Sequence, residues 1–170
     1  PNQEIIQRLI QATTGMNLTQ LHAAIRTALV KEYDLSPKLV NEVMAFKKAQ
    51  LESGGIWSQV PTDGVPELVG WERLFGKIVS AKQYGAFEPG SVHNQQLYVL
   101  VGQAGTGKTT AAQQIGRILG WPLYQGEVSA MMGSLMGQTE QGVKRAVDEI
   151  YAAQPCVALL DEGQRGLQAD

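Results

Sequence analysis

Residues 102–109 read Gly102-Gln103-Ala104-Gly105-Thr106-Gly107-Lys108-Thr109 and fit the pattern G-x-x-x-x-G-K-[ST]. The pattern is typical of a phosphate-binding loop, in which glycines allow a tight turn whose backbone N–H groups face an anion. Residues 96–101 before it, which are rich in Leu, Tyr and Val, predict a strand, and residues 108–119 predict a helix that ends at Gly120. A strand, this loop and a helix in that order favour nucleotide binding over a chance glycine-rich turn.

The side chains of this loop suit different parts of a nucleoside triphosphate. Lys108 is predicted to neutralise the β- and γ-phosphates. The helix that begins at this residue points the positive end of its dipole at the same phosphates. The Thr109 hydroxyl is predicted to ligate Mg²⁺, and Thr110 to reach the α-phosphate. The predicted nucleotide contacts of the loop are Gly102, Gln103, Ala104, Gly105, Thr106, Gly107, Lys108, Thr109 and Thr110.

A second motif is an apolar run that ends in two acidic residues, Cys156-Val157-Ala158-Leu159-Leu160-Asp161-Glu162. On its own it also fits a core strand that ends in solvated carboxylates. Because it follows a phosphate-binding loop, we interpret it as a Walker B strand. Asp161 is predicted to hold Mg²⁺, directly or through water, and Glu162 to polarise the attacking water as a catalytic residue beside Lys108.

The second half of the chain alternates apolar strands with helices. Strands are predicted at residues 96–101 and 156–160, and a brief strand is predicted to begin at residues 123–124. Helices are predicted at residues 108–119 and 140–153. This alternation predicts an α/β fold, a parallel sheet with helices on both faces.

The first half predicts helices instead. Asn17 with Gln20 three residues later fits a capping box, and Ser36 before Pro37 fits a helix start. The second of these helices should end at Ser53-Gly54-Gly55, and another should follow near residues 74–79. We therefore expect a helical N-terminal domain at 1–54, a Pro- and Gly-containing linker at 55–66 and a nucleotide-binding core at 67–170.

Composition excludes several classes of protein. Of 170 residues, 44% are apolar and 18% charged, so the chain can bury a core. The net charge of −2 argues against a protein whose main partner is nucleic acid. The chain has no apolar run of about 18–20 residues, so no membrane span is predicted. A single cysteine, Cys156, excludes an internal disulfide and favours a reducing compartment.

Together the two motifs resemble those of the AAA+ ATPases. Five weaker segments, similar in order and spacing, narrow the resemblance to the small AAA ATPases of algal plastid genomes and cyanobacteria, over nearly the whole chain. They are Thr14-Gly15-Met16-Asn17-Leu18-Thr19, Phe46-Lys47-Lys48-Ala49-Gln50, Glu67-Leu68-Val69-Gly70, Met132-Gly133-Ser134-Leu135-Met136-Gly137-Gln138-Thr139-Glu140 and Gln154-Pro155-Cys156-Val157.

The resemblance implies an AAA+ P-loop NTPase core that binds ATP or ADP with Mg²⁺ and hydrolyses ATP to remodel or regulate a protein partner. It implies a homo-oligomeric ring, a hexamer, in which a neighbouring subunit supplies an arginine finger. Val69 and Gly70 stand where the family contacts adenine through its backbone. Leu135, Met136 and Gly137 stand where AAA+ rings carry a pore loop, but Leu135 replaces the usual aromatic residue, and a plain surface loop fits equally.

The chain also departs from the family. Gly163-Gln164-Arg165 follows the acidic pair where the family has Ile-Asp-Lys or similar. Residues 67–170 contain no sensor residue, arginine finger or lid, so we expect a core that is incomplete at its C-terminus. Two alternatives stay open: a nucleotide-binding assembly or scaffold protein with little or no turnover, and a P-loop kinase for a small molecule. The expected compartment is the cytoplasm, or the plastid stroma if the source is algal.

The remaining candidate residues favour structural roles. His22 and His93 lie far apart in the sequence and have no cluster of metal ligands beside them. Cys156 fits a small core residue better than a nucleophile. The three tryptophans, Trp57, Trp71 and Trp121, are expected in the core or at contacts between domains.

Overall fold

The computed structural model of the protein describes residues 2–87, 98–103, 105–131 and 138–161. It divides into two compact units. The first contains Pro1–Gln59 and Tyr124–Asp170, and the second contains Val60–Leu123. No helix in the described ranges combines the length and the hydropathy that a membrane span requires.

Three helices begin the first unit: α1 (Asn2–Thr13), α2 (Leu18–Lys31) and α3 (Pro37–Ser53). The predicted capping box is confirmed, since the Gln20 backbone N–H donates to the Asn17 side chain and the Asn17 N–H to the Gln20 side chain, at 2.8 and 3.0 Å. The predicted start of α3 is confirmed as well, because the Leu39 N–H donates to the Ser36 hydroxyl. Local capping thus determines where these helices begin.

The three helices share one apolar cluster, in which α3 packs against both α1 and α2. Small alanines allow close approach of the helices. The buried members are Ala12, Ala24, Ala28, Leu39, Val40 and Val43.

A three-stranded sheet has the order β1-β2-β3, with β1 (Trp57–Val60), β2 (Leu123–Glu127) and β3 (Val157–Asp161). Strand β1 lies within residues 55–66, which the sequence assigned to a linker. The reason is Trp57, which is 5% exposed and donates its indole N–H to the Ala146 carbonyl at 3.1 Å. Burial of this large ring with a partner for its N–H stabilises the strand.

The predicted helix after β2 is confirmed as α7 (Gln138–Ala152), and a short helix that the sequence did not predict, α6 (Val128–Met131), precedes it. Along strand β3, exposed side chains alternate with partly buried ones. Ala158 and Leu160 are exposed, Leu160 by 55%, whereas Val157 and Leu159 are partly buried. The alternation shows that one face of β3 is packed and the other is not.

The second unit contains α4 (Glu72–Gln83) and α5 (Lys108–Leu119), which pack against each other. Helix α5 begins and ends where the sequence predicts, with Gly120 in the left-handed region at φ +72°. The strand predicted at residues 96–101 is wrong in its described part, since residues 98–101 form none. Val99 and Val101 are 77% and 92% exposed, so their apolar side chains gain nothing from packing.

The observed mixture of helices with a small sheet is compatible with the α/β class. A parallel sheet with helices on both faces stays a prediction. The predicted domain boundaries also stay a prediction, since the compact units divide the chain at other positions, after Gln59 and after Leu123.

Candidate functional site

The described part of the glycine loop is a tight turn that leads into α5. Gly105 and Gly107 have φ values of +82° and +83°, in the left-handed region that residues with a side chain rarely adopt. Gly107 is the N-cap of α5 and offers no side chain to cap it. The N-cap residue therefore gives no side-chain acceptor to the first N–H groups of the helix, and helix N-termini bind anions through such groups.

The Lys108 side chain folds back over this turn. Its ammonium group donates to the carbonyl oxygens of Gly102 at 2.8 Å and Gln103 at 2.7 Å. The side chain is half-buried. The loop thus holds a positive charge beside the N-terminus of α5, where an anion is favoured by both the charge and the helix dipole.

Thr106 closes the turn from the other direction. Its hydroxyl donates to the Gln103 carbonyl at 2.8 Å. A Cβ atom at Gly102 would lie 2.9 Å from the Thr106 hydroxyl oxygen, so a larger residue at 102 would displace this bond. Glycine at 102 is therefore favoured by close approach to Thr106 rather than by its φ.

The other predicted loop contacts differ in access. Thr109 is exposed and Thr110 is half-buried, both in the first turn of α5. Ala104 lies outside the described residues. Exposure to solvent gives a cation access to Thr109, whose hydroxyl oxygen is a ligand type that Mg²⁺ accepts.

The predicted adenine contact, Val69 and Gly70, belongs to a segment that touches the end of the loop. A Cβ atom at Gly107 would lie 3.1 Å from a methyl group of Leu68. Val69 is 90% exposed, and Gly70 has φ +90°. The Gly70 N–H donates to the Glu72 carboxylate at 2.8 Å, a bond that lowers the pKa of Glu72.

The Walker B residues are described only in part. Asp161 is the last residue of β3, and its side chain lies outside what the structure describes. Glu162 and the candidate pore-loop residues Leu135, Met136 and Gly137 lie outside the described residues. Their predicted roles therefore stay predictions, as do those of the loop residues.

The residues for which the sequence favours structural roles differ in their surroundings where they are described. Burial raises the pKa of the Cys156 thiol to about 12, which disfavours the nucleophilic thiolate. The ranges that the structure describes contain no group of three or more His, Cys, Asp or Glu side chains that could hold a metal ion. His22 is exposed, and His93 lies outside those ranges.

Two buried polar residues were missed by the sequence analysis. Lys47 is 8% and Gln114 is 4% exposed. For Lys47, helical periodicity could have predicted the burial. It lies at helical spacing after the buried Val40 and Val43 and one turn before the buried Leu51. A charged residue within such a stripe indicates a buried group with fixed partners.

Comparison with known families supports the resemblance drawn from the motifs. Residues 98–170 match the family model of AAA, the ATPase family associated with various cellular activities. No solved structure matches the chain significantly.

Individual relatives are similar at low identity. An AAA domain-containing protein, ycf46, of Trieres chinensis is 23% identical over 167 residues, which are 93% of this chain and 32% of the relative. The ycf46 protein of Gracilaria tenuistipitata var. liui is 24% identical over 168 residues, 94% of this chain and 33% of the relative. The AAA family ATPase y4kL of Sinorhizobium fredii is 28% identical over 95 residues, 56% of this chain and 27% of the relative.

The chain thus spans about a third of the length of the ycf46 relatives that it matches. The resemblance to the AAA ATPases, and among them to the ycf46 proteins of plastid genomes, is confirmed at the level of a divergent relative.

Proposed function

We propose that this chain, a divergent relative of the AAA ATPases, binds ATP at residues 102–110 and hydrolyses it to remodel or regulate a protein partner. The observation that carries the proposal is the Lys108 ammonium group held over the glycine turn at the N-terminus of α5. The site combines a fixed positive charge, helix N–H groups and glycines in the left-handed region. This combination suits a polyphosphate better than any one of the three features would alone.

Lys108 has the main binding role in this proposal. An ammonium group has three N–H donors, and the two directed to Gly102 and Gln103 set its position. From there it neutralises charge on the β- and γ-phosphates, while the N–H groups of the turn and of α5 contact the phosphate oxygens. Electrostatic stabilisation of this kind also lowers the barrier to phosphoryl transfer, because charge on the transferred group persists in the transition state.

Magnesium fits the donor set that the chain offers. Thr109 and Asp161 supply hydroxyl and carboxylate oxygens, the ligands that Mg²⁺ prefers, and Mg²⁺ commonly binds through one or two protein ligands together with substrate phosphates. The metal would neutralise phosphate charge. Glu162 is the proposed general base that takes a proton from the attacking water.

The base of the nucleotide is proposed to contact Val69 and Gly70. Val69 is exposed beside a residue, Leu68, that packs on the last glycine of the turn. A base bound there would lie next to the phosphates, and no side chain would have to hydrogen-bond to it. The proposed contact is through the backbone of these two residues.

Assembly and location are proposed from the family alone. A homo-oligomeric ring, a hexamer, would let a neighbouring subunit supply the arginine finger that stabilises transition-state charge. Leu135, Met136 and Gly137 would face its pore. The protein partner is unidentified, and the cytoplasm or the plastid stroma is the proposed compartment.

A second candidate function is a nucleotide-binding assembly or scaffold protein with little turnover. The sequence Gly163-Gln164-Arg165 after the acidic pair favours it, because the family has Ile-Asp-Lys or similar there. In such a protein the nucleotide would be a structural ligand that stabilises the folded state by mass action.

Phosphate release, measured beside ATP affinity, separates the two functions. In the full chain, Glu162→Gln keeps the size of the side chain but removes the base. We expect near-native ATP affinity and single-turnover hydrolysis slower by about a hundredfold or more. Glu127→Gln is the matched control, an exposed acid at the end of β2, and should change neither quantity.

Each result of this experiment supports or contradicts a stated part of the proposal. Equal hydrolysis by the wild type and Glu162→Gln contradicts the proposed general base. Binding without hydrolysis in both chains favours the scaffold. Failure of the wild type to bind ATP contradicts both functions.

A further inference from the structure

Helix α5, which begins at the glycine loop, contains a buried polar residue that the proposed function does not use. Gln114 is 4% exposed, and its side-chain amide donates to the Pro66 carbonyl at 2.5 Å. A buried donor without an acceptor would cost free energy, so this bond fixes both of its partners. Pro66 precedes the predicted adenine contact at Val69 by three residues.

The bond belongs to a row of contacts along one side of α5. The Gln113 side-chain amide donates to the Pro61 carbonyl at 2.9 Å. A Cβ atom at Gly116 would lie 2.9 Å from the methyl group of Thr62, so the helix and this segment approach closely there. The segment at residues 61–66 therefore lies along the same helix whose N-terminus carries the glycine loop.

Two further contacts hold the segment beyond Pro66. Leu68 packs against Gly107, and the Gly70 N–H is fixed by the Glu72 carboxylate at 2.8 Å. Between these fixed points Val69 projects with 90% of its surface exposed. A backbone contact to a base needs such an exposed position on an immobilised segment, because each freely moving residue would lose entropy on binding.

We propose that Gln114 is a positioning residue for the base of the nucleotide. By holding the Pro66 carbonyl, it places Val69 and Gly70 at a fixed distance from the loop that contains Lys108. Helix α5 then contributes to both parts of the site. Its N-terminus contacts the phosphates, and its Gln114 holds the segment that contacts the base. This inference rests on the proposed nucleotide site and adds the residue that joins its two parts.

Comparison of MgATP with inorganic triphosphate tests the role, because triphosphate contacts the loop but has no base. Titration calorimetry of the full chain should show that Gln114→Met weakens MgATP binding by about fivefold to tenfold. Triphosphate binding should change by less than about twofold. Gln113→Met is the matched control, because Gln113 makes the same kind of bond to Pro61, which lies eight residues before Val69. It should change both affinities by less than about twofold.

Several outcomes would overturn the inference. Equal weakening of ATP and triphosphate would mean that Gln114 acts on the loop or on the stability of α5. Unchanged ATP affinity would mean that the bond to Pro66 has no part in binding. A wild-type chain that binds triphosphate with the same affinity as ATP has no base contact to position, whereas one that binds neither ligand contradicts the proposed function and this inference with it.

A measurement on the wild type keeps the inference testable if Gln114→Met does not fold. In nuclear magnetic resonance spectra, the side-chain amide signal of Gln114 should shift on addition of MgATP and not on addition of triphosphate. An identical response to both ligands, or to neither, would overturn the assignment.

Discussion

Two lysines of this protein make similar bonds in different surroundings. Lys47 donates to the carbonyl oxygens of Ala12 at 3.1 Å, Thr14 at 2.7 Å and Gln154, which lie 35, 33 and 107 residues away in the sequence. Lys108 donates to carbonyls that lie only six and five residues away. The first ammonium group joins distant parts of the first unit, and the second closes its own loop.

Burial separates the roles of the two residues. Lys47 is 8% exposed and directs its donors to three carbonyls, so its charge is committed to the fold. Lys108 is half-buried at a helix N-terminus, so its charge remains available to an anion. The comparison teaches that long-range bonds from a buried lysine predict an effect on stability, whereas local bonds from an accessible one predict an effect on binding.

The largest expected effect on stability comes from Lys47→Met. Three carbonyls would lose their donor, and two of these bonds connect the end of α1 to α3, so the free energy of unfolding should fall by about 2–4 kcal/mol. Denaturant unfolding followed by circular dichroism measures it. Lys48→Met is the matched control. Among the described residues Lys48 makes an exposed ion pair with Glu52 at 3.9 Å, so its loss should cost less than about 1 kcal/mol.

Equal losses for the two variants would contradict the comparison, because they would mean that burial and the three bonds add nothing. The comparison would also be contradicted if the folded Lys47→Met variant, in which Lys108 is not mutated, lost affinity for ATP.

A smaller effect concerns pH. Burial lowers the pKa of Lys47 from 10.5 to about 8, and the nearby Cys156 opposes this shift. Between these pH values the unfolded chain binds more protons at this group than the folded chain does. The stability that it contributes is therefore fully present above about pH 10.5 and is lost as the pH falls through about 8.

The destabilisation by Lys47→Met should therefore grow with pH, by about 1 kcal/mol between pH 8 and 10 after an allowance for solvent screening. Cys156 and Tyr124 have raised pKa values and titrate in the opposite sense, but both chains contain them, so their contributions cancel to first order in the difference. A destabilisation that is constant over this range, or that shrinks as the pH rises, would contradict a lowered pKa for Lys47.

The sequence predicted best what depends on local interactions. The starts of α2 and α3 and both ends of α5 follow from capping residues and glycines, such as Asn17, Ser36 and Gly120, whose effects act within a few residues. The glycine turn and its lysine were identifiable for the same reason, since the hydrogen bonds of Thr106 and Lys108 reach carbonyls only three to six residues away.

Long-range packing decided the features that the sequence missed. Trp57 turned part of an expected linker into a strand through a bond to Ala146, 89 residues away. Val99 and Val101 have the composition of a strand but remain exposed, so no strand forms in the described residues around them. The role of Gln114 depends on Pro66, 48 residues earlier, and no local pattern predicts that pairing.

Titration of the full chain with MgATP, for the wild type and Lys108→Ala, tests the central claim most directly. Loss of a charge-assisted contact should cost about 1.5–3 kcal/mol, so affinity should fall by roughly tenfold or more. The unfolding free energy, measured in parallel, should change by less than about 0.5 kcal/mol, because the bonds lost are local and partly exposed. Unchanged ATP affinity in a folded Lys108→Ala chain would contradict the assignment of residues 102–110 as the nucleotide site.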